Sequence, residues 1–123
     1  MIKNIFLVAI GGAGGSVVRY LSSFIFSSKK FPLTTFFVNI LGCFFIGLLM
    51  GYFIKQQTTQ SWQMLLVTGF CGGFTTFSAF SYDIVLLMQQ QRYTTALLYV
   101  FSTLILGVLA TILGMYIVKQ VSI

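Results

Sequence analysis

Four long apolar stretches limit what this chain can fold into, because each is long enough to cross a lipid bilayer. A transmembrane helix needs about 20 apolar residues to span a hydrocarbon core about 30 Å thick. The stretches cover residues 4–26, 31–54, 62–88 and 93–118, and short polar connectors separate them. Helices satisfy their own backbone hydrogen bonds in lipid. We therefore predict an all-α membrane protein with four transmembrane helices in a single transmembrane domain, residues 1–123.

The composition excludes most soluble classes of protein. Hydrophobic residues make up 58% of the chain and charged residues 7%, whereas a soluble domain is about 25% charged. A single acidic residue and the lack of histidine exclude catalysis by paired carboxylates and a histidine zinc site. The cations are isolated and form no stripe of the kind that binds phosphates. We predict neither an enzyme nor a nucleic-acid-binding protein.

The cations near the two membrane surfaces do not fix an orientation for the chain. They divide equally between the sides, with Lys3, Lys55 and Lys119 against Lys29, Lys30 and Arg92. The positive-inside rule predicts orientation from an excess of Lys and Arg in the loops on one side of the membrane. These loops show no such excess. Either the insertion machinery decides, or the chain inserts both ways and forms an antiparallel, dual-topology homodimer, with the symmetry of inverted repeats. Four short helices are too few to enclose a pore alone, so we favour the dimer.

The third stretch contains a segment that weakens a helix in the middle of the membrane. Gly72 and Gly73 are adjacent, and Thr75 and Thr76 follow them. Glycine and β-branched residues both have low helix propensity, so we predict a break near Gly72–Thr75. Carbonyls freed at such a break can bind a hard cation. The same glycines could instead only let another helix cross closely, and the spacing does not decide between these interpretations.

Pairs of glycines at GxxxG spacing allow helix backbones to approach closely in lipid. Three such pairs occur: Gly11 and Gly15, Gly47 and Gly51, and Gly69 and Gly73. For the second pair we favour a role in packing alone.

Three motifs on successive spans resemble those of the Fluc/CrcB fluoride channels. They are residues 69–80 (GFCGGFTTFSAF), residues 11–20 (GGAGGSVVRY) and residues 39–47 (NILGCFFIG). The three motifs occur in the right order and together cover the chain through Asp83. The match to the family is weaker in the fourth span. Ala79 is a departure, because many members of that family carry a hydroxyl residue there.

The resemblance implies a passive channel that exports fluoride across the inner (plasma) membrane and so relieves fluoride toxicity. It implies a dual-topology dimer with a structural sodium ion at the dimer interface, bound by main-chain oxygens of Gly72 and Thr75. Phe77 and Phe80 would face the fluoride ion. The electropositive edge of an aromatic ring can face an anion, although the spacing of the two residues alone favours ordinary packing.

Fluoride is small and strongly hydrated, so a pore must replace its water with hydrogen-bond donors and still release it. The candidate donors are one amide and five hydroxyl groups: Asn39, Ser78, Thr35, Tyr99, Thr103 and Thr111. The last three lie on one face of the fourth span. A single threonine in a helix more often bonds its own backbone, but three on one face favour a functional role.

Charges within a membrane span are costly and mark function by default. Arg19 is expected to pair, or to reach a vestibule where it raises the local anion concentration. Asp83 either balances Arg19 or Lys30 or faces water at the pore mouth, and the sequence does not decide.

The alternative function is a proton-coupled exporter of the small multidrug-resistance type. That mechanism requires a carboxylate in the first span, where the intramembrane charge is Arg19. A non-transporting scaffold would not explain a glycine-rich break followed by Phe77, Ser78 and Phe80.

Overall fold

The computed structural model describes residues 1–28, 30–57 and 59–121, and the connector cation Lys29 lies outside them. Four helical spans are long and apolar enough to cross a membrane, which confirms the all-helical prediction. The first span is α1 (Ile2–Ser22) and the second is α2 (Leu33–Gln56). The fourth span is α6 (Tyr93–Gln120).

The third span, Gln60–Gln89, consists of several helical segments. Its N-terminal half, residues 60–74, comprises α3 (Gln60–Trp62), a π-helix (Gln63–Cys71) and α4 (Gly72–Phe74). Its C-terminal half is α5 (Phe77–Gln89). The nine-residue π-helix has i→i+5 hydrogen bonds, a rare geometry that is usually confined to single turns. It was not predicted.

The predicted break in the third span is present, and it lies at two threonines. Thr75 and Thr76 are extended, with ψ of 157° and 120°. Gly72 and Gly73 remain in the α-helix. Threonine suits extended backbone because its branched side chain is restricted in a helix. We call Thr75 and Thr76 the break.

The helices pack in two pairs, and glycines lie at both contacts. α1 packs along the π-helix and α4, and α2 packs along α6. A Cβ atom on Gly11 would overlap the carbonyl oxygen of Leu65, and one on Gly47 would overlap that of Thr111. A Cβ atom on Gly114 would lie 2.5 Å from the carbonyl oxygen of Phe44. The glycines therefore permit direct backbone contact between spans, as predicted for the first and second GxxxG pairs.

Most large apolar side chains point outward, as expected of a protein whose solvent is lipid. Exposed examples occur on every span, including Ile5, Ile54, Val85 and Leu98. A small core cluster joins α5 and α6 through Leu87, Ala96 and Tyr99. The Tyr99 side chain is fully buried in this cluster, and Phe80 of α5 packs against it.

Candidate functional site: a groove at the helix break

The break is held in place by Asn39, which projects from α2. Asn39 Nδ2 donates to the carbonyl oxygen of Thr76 at 3.0 Å, and the Thr76 N–H donates to Asn39 Oδ1 at 2.8 Å. In a continuous α-helix the Thr76 N–H would donate to the carbonyl oxygen of Gly72, four residues earlier. Asn39 therefore takes the place of one turn of helix, and it deprives the Gly72 carbonyl of its usual intrahelical donor.

The carbonyl groups just before the break have unequal surroundings. The Cys71 carbonyl oxygen accepts from both the N–H and the hydroxyl of Thr75, at 3.0 and 2.8 Å. The Gly73 carbonyl oxygen accepts from Arg19 Nε at 3.2 Å. Gly72 itself is exposed, and Thr75 is partly buried. Carbonyl oxygens at such a helix end are suited to a hard cation.

After the break, Thr76 also caps the start of α5. Its hydroxyl oxygen accepts from the Ala79 N–H at 3.1 Å and lies 3.1 Å from Ser78 Oγ. Threonine is a favoured N-cap residue because it satisfies an N–H group that has no partner inside the helix. Thr76 was absent from the predicted site residues, although a threonine just before an apolar helix is a recognisable capping signal.

A groove of about 450 Å³ lies between α2, the break and α6. It contains six of the predicted site residues together with apolar and small side chains of α2 and α6. Its lining residues are Asn39, Gly42, Cys43, Ile46, Thr75, Thr76, Phe77, Phe80, Thr103, Leu104, Gly107, Val108 and Thr111. Cys43, Ile46, Leu104 and Val108 were not predicted, since apolar side chains of a span carry no signal that distinguishes a groove from the lipid face.

Phe77 and Phe80 lie side by side on α5 but differ in exposure. Their ring centroids are 5.8 Å apart and their planes are inclined by 51°. The Phe80 ring packs against Tyr99, with the centroids 5.0 Å apart. The Phe77 ring is 69% exposed. One ring is therefore fixed by the core, whereas the other projects from the surface of the chain.

The predicted polar face of α6 divides into groups with different roles. The Thr111 hydroxyl donates to the carbonyl oxygens of Cys43 and Gly107, at 3.1 and 3.2 Å. The Tyr99 hydroxyl donates to Asp83 Oδ2 at 3.0 Å. Within residues 1–28, 30–57 and 59–121, the buried Thr103 Oγ1 has no hydrogen-bond partner. Among these three hydroxyls, that of Thr103 is therefore the one uncommitted group at the groove.

Asp83, in the middle of α5, borders two smaller cavities of about 180 and 280 Å³. Arg92 lines the first cavity, and Thr35 lines the second. Asp83 accepts a hydrogen bond from Tyr99, and Arg19 binds the backbone near the break. Arg19 and Asp83, the two charges predicted within the spans, therefore have different hydrogen-bond partners.

Comparison with known proteins identifies similar chains over almost the whole length. Residues 6–115 match the family described as "CrcB-like protein, Camphor Resistance (CrcB)". A protein of Azobacteroides pseudotrichonymphae named "Fluoride-specific ion channel FluC" is 47% identical over 118 residues, which is 93% of this chain and 94% of the relative. A Flavobacterium psychrophilum protein of the same name is 43% identical over 122 residues, which is 96% of this chain and 98% of that protein. A third, from Campylobacter fetus, is 44% identical over 120 residues and 94% of each chain.

Proposed function

The chain belongs to the CrcB family, and on that basis we propose that it is a passive, fluoride-selective ion channel. It is a multi-pass protein of the plasma membrane, and it exports fluoride and so relieves fluoride toxicity. The relatives named as fluoride-specific channels align with almost the entire chain, so the proposal does not depend on a shared fragment. The family comparison gives no support to the proton-coupled exporter considered above, nor to enzymatic activity.

The observation that carries this proposal is the groove at the helix break. It brings together the rings of Phe77 and Phe80, the Asn39 amide and the uncommitted Thr103 hydroxyl. Ring edges and neutral donors can stabilise a partly dehydrated anion without the strong attraction of a lysine. Such weak stabilisation suits conduction, because an ion that enters the site must also leave it.

The other polar residues extend this path in both directions. Asn39 uses one N–H of its amide on the Thr76 carbonyl oxygen, and we assign the second N–H to fluoride. Ser78 and Thr35 supply further hydroxyls, and Thr111 and Tyr99 continue the α6 face. Arg19 and Asp83 remain candidates for charges that influence the ends of the path.

We infer that the functional unit is an antiparallel, dual-topology homodimer. A phenylalanine that is 69% exposed beside the groove requires a second surface if it is to line a closed pore. The equal division of loop cations between the two sides supports insertion in both orientations. An inverted copy would close the groove with the same residues that border it here. The partners are thus fluoride, the lipid bilayer and a second copy of the chain, with no nucleic acid.

We also propose a structural sodium ion at the interface of the dimer. The carbonyl oxygens of Gly72 and Thr75 would hold it, with the equivalent pair from the second chain. The residues fit such a group, because Asn39 takes the N–H that the Gly72 carbonyl would otherwise accept. Oxygen ligands are the chemistry that a hard cation prefers, and the ion's role would be to join the chains.

A liposome assay tests the proposed function. Purified protein is reconstituted into vesicles loaded with equal fluoride and chloride, and efflux of each ion is followed with a selective electrode. We expect fluoride to leave at least tenfold faster than chloride, without a proton gradient. Equal chloride leakage, or cation transport driven by a pH difference, would reject the channel and favour the exporter.

A further inference from the structure

Arg19 makes a specific contact with the backbone near the break. It lies near the C-terminal end of α1, and its Nε donates to the carbonyl oxygen of Gly73 at 3.2 Å. The contact is partly buried and joins residues that are 54 positions apart in the chain. A charged side chain inside a span is costly. An arginine that only extended its charge towards water would not need a directed hydrogen bond from Nε to a backbone carbonyl group.

The backbone makes this carbonyl group available to Arg19. In a continuous helix the Phe77 N–H would donate to the Gly73 carbonyl oxygen, but Phe77 instead begins α5 after the extended break. Gly73 also lets α1 approach closely, because a Cβ atom there would lie 2.5 Å from the carbonyl oxygen of Gly12. The break frees the acceptor, and the glycine contact brings the donor within reach.

We propose that Arg19 is a positioning residue for the cation site at the break. Gly73 lies between Gly72 and Thr75, whose carbonyl groups form the proposed sodium site. The hydrogen bond from Arg19 holds the end of α4, so that the two neighbouring carbonyl oxygens keep the direction in which they bind a cation. The inference rests on the proposed function, and it differs from a vestibule role because the N–H group, and not the charge, carries the effect.

The side chains of other amino acids separate the donor from the charge. In glutamine the amide nitrogen is bonded to Cδ, the same carbon that carries Nε in arginine. Arg19→Gln therefore keeps an N–H donor at that point and removes the charge. Arg19→Met keeps a similar length and removes both, and Arg19→Lys keeps the charge but moves the nitrogen one bond further from the backbone.

The first test measures dimer assembly against sodium concentration. Each full-length variant is titrated with sodium against N-methylglucamine in lipid vesicles, and the dimer fraction is counted by single-molecule photobleaching. We expect Arg19→Met to raise the sodium concentration for half-maximal assembly by about tenfold, which is near the upper end of what the loss of one ordinary hydrogen bond produces. Arg19→Gln should stay within about threefold of the unmodified protein.

Equal behaviour of the glutamine and methionine variants would overturn the proposal, and so would rescue by lysine alone. Assembly of the unmodified protein that does not depend on sodium would also overturn it. Fluoride flux is measured on the same vesicles as a separate readout. Its absence would count against the channel function without changing the result of the sodium titration.

A second test observes the Gly73 carbonyl group directly. Labelling glycine with ¹³C at the carbonyl and phenylalanine with ¹⁵N selects the two Gly–Phe pairs of the chain, Gly69–Phe70 and Gly73–Phe74. We expect the Gly73 carbonyl signal to shift in Arg19→Met and to remain near its original position in Arg19→Gln. The Gly69 signal serves as an internal control. A Gly73 signal that is unchanged in the methionine variant would contradict the hydrogen bond on which the proposal depends.

Discussion

Gly42 offers a test of how tightly α2 packs against the break. A Cβ atom on Gly42 would overlap Cγ2 of Thr75, whereas its next neighbour, Phe74 Cδ2, would lie at 3.5 Å. The clash of an alanine therefore comes from one methyl group. Overpacking of this severity costs about 2–3 kcal/mol. An alanine regains roughly 1 kcal/mol of helix propensity relative to glycine. We expect Gly42→Ala to lower the free energy of unfolding by about 1–2 kcal/mol.

Removing the methyl group should restore the stability of this variant. Thr75→Ser deletes Cγ2 and keeps the hydroxyl that donates to the Cys71 carbonyl oxygen at 2.8 Å. Alone it should cost about 0.8 kcal/mol, the value of one buried methyl group. In the double variant Gly42→Ala/Thr75→Ser, the two losses should not add. The coupling between them should be about 1–2 kcal/mol in favour of the double variant.

The measurement is a reversible unfolding titration in mixed micelles, carried out on the four proteins of this double-mutant cycle. Gly47→Ala is the matched control, because a Cβ atom there would overlap the backbone carbonyl oxygen of Thr111. No smaller side chain can relieve that contact, so Thr75→Ser should not rescue it. Additive losses in the Gly42 cycle would refute the close contact between Gly42 and the Thr75 methyl group. A Gly42→Ala protein that is as stable as the original would refute it too.

Three further predictions concern the helix pairs and the groove. Gly11→Ala should destabilise by at least about 1 kcal/mol, whereas Gly12→Ala should be neutral or stabilising, because its Cβ atom would lie 3.8 Å from the nearest atom; thermal denaturation of the two variants gives the comparison. Asn39→Ala should lose about 2 kcal/mol in the same assay, one for each hydrogen bond to the Thr76 peptide groups, and a smaller loss would mean that the break supports itself. Phe77→Ile should leave stability within about 0.5 kcal/mol, because the ring is exposed in the single chain, but it should slow fluoride efflux from vesicles by about fivefold; normal efflux would show that the ring edge does not contribute.

The spans and the break could be predicted from the sequence because their signals are local. The length of an apolar run predicts a helix that spans the bilayer, and glycines followed by threonines predict a weak point in that helix. The exact position of the break could not be predicted from the neighbouring residues alone. Gly72 and Gly73 stay helical, and Gly73 packs against Gly12. Thr75 and Thr76 are extended, and Asn39 pairs with the second of them. Both facts depend on contacts between helices that are distant in the sequence.

Part of the residue set that lines the groove was predictable from the sequence, but its arrangement of hydrogen bonds was not. Phe77, Phe80 and Asn39 were identified through a family motif, and the structure brings all three to one groove. The partner of Arg19 could not be predicted, because a guanidinium group can reach many acceptors and its position depends on how closely α1 approaches α4. The π-helix had no warning in the sequence, since its composition is that of an ordinary apolar helix.

Thr103 and Thr111 allow stability and conduction to be separated within one helix. The Thr103 hydroxyl has no partner in the described residues, whereas that of Thr111 donates to the Cys43 carbonyl oxygen at 3.1 Å. Replacing an unpaired buried hydroxyl by a methyl group is neutral or stabilising, and breaking a paired one costs about 1 kcal/mol. Thr103→Val should therefore preserve or raise the unfolding free energy, and Thr111→Val should lower it.

Fluoride efflux should show the opposite order for these two variants. If the Thr103 hydroxyl is kept unpaired so that it can donate to a passing anion, its loss removes about 1 kcal/mol of stabilisation and slows efflux by about fivefold. Thr111→Val should conduct at nearly the original rate, because its hydroxyl is already committed to the backbone. A Thr103→Val channel that is both more stable and equally conductive would show that the unpaired hydroxyl has no role in the pore. If the Thr103 hydroxyl stays unpaired because conduction requires it, Thr103→Val should be more stable than the original protein and should conduct more slowly.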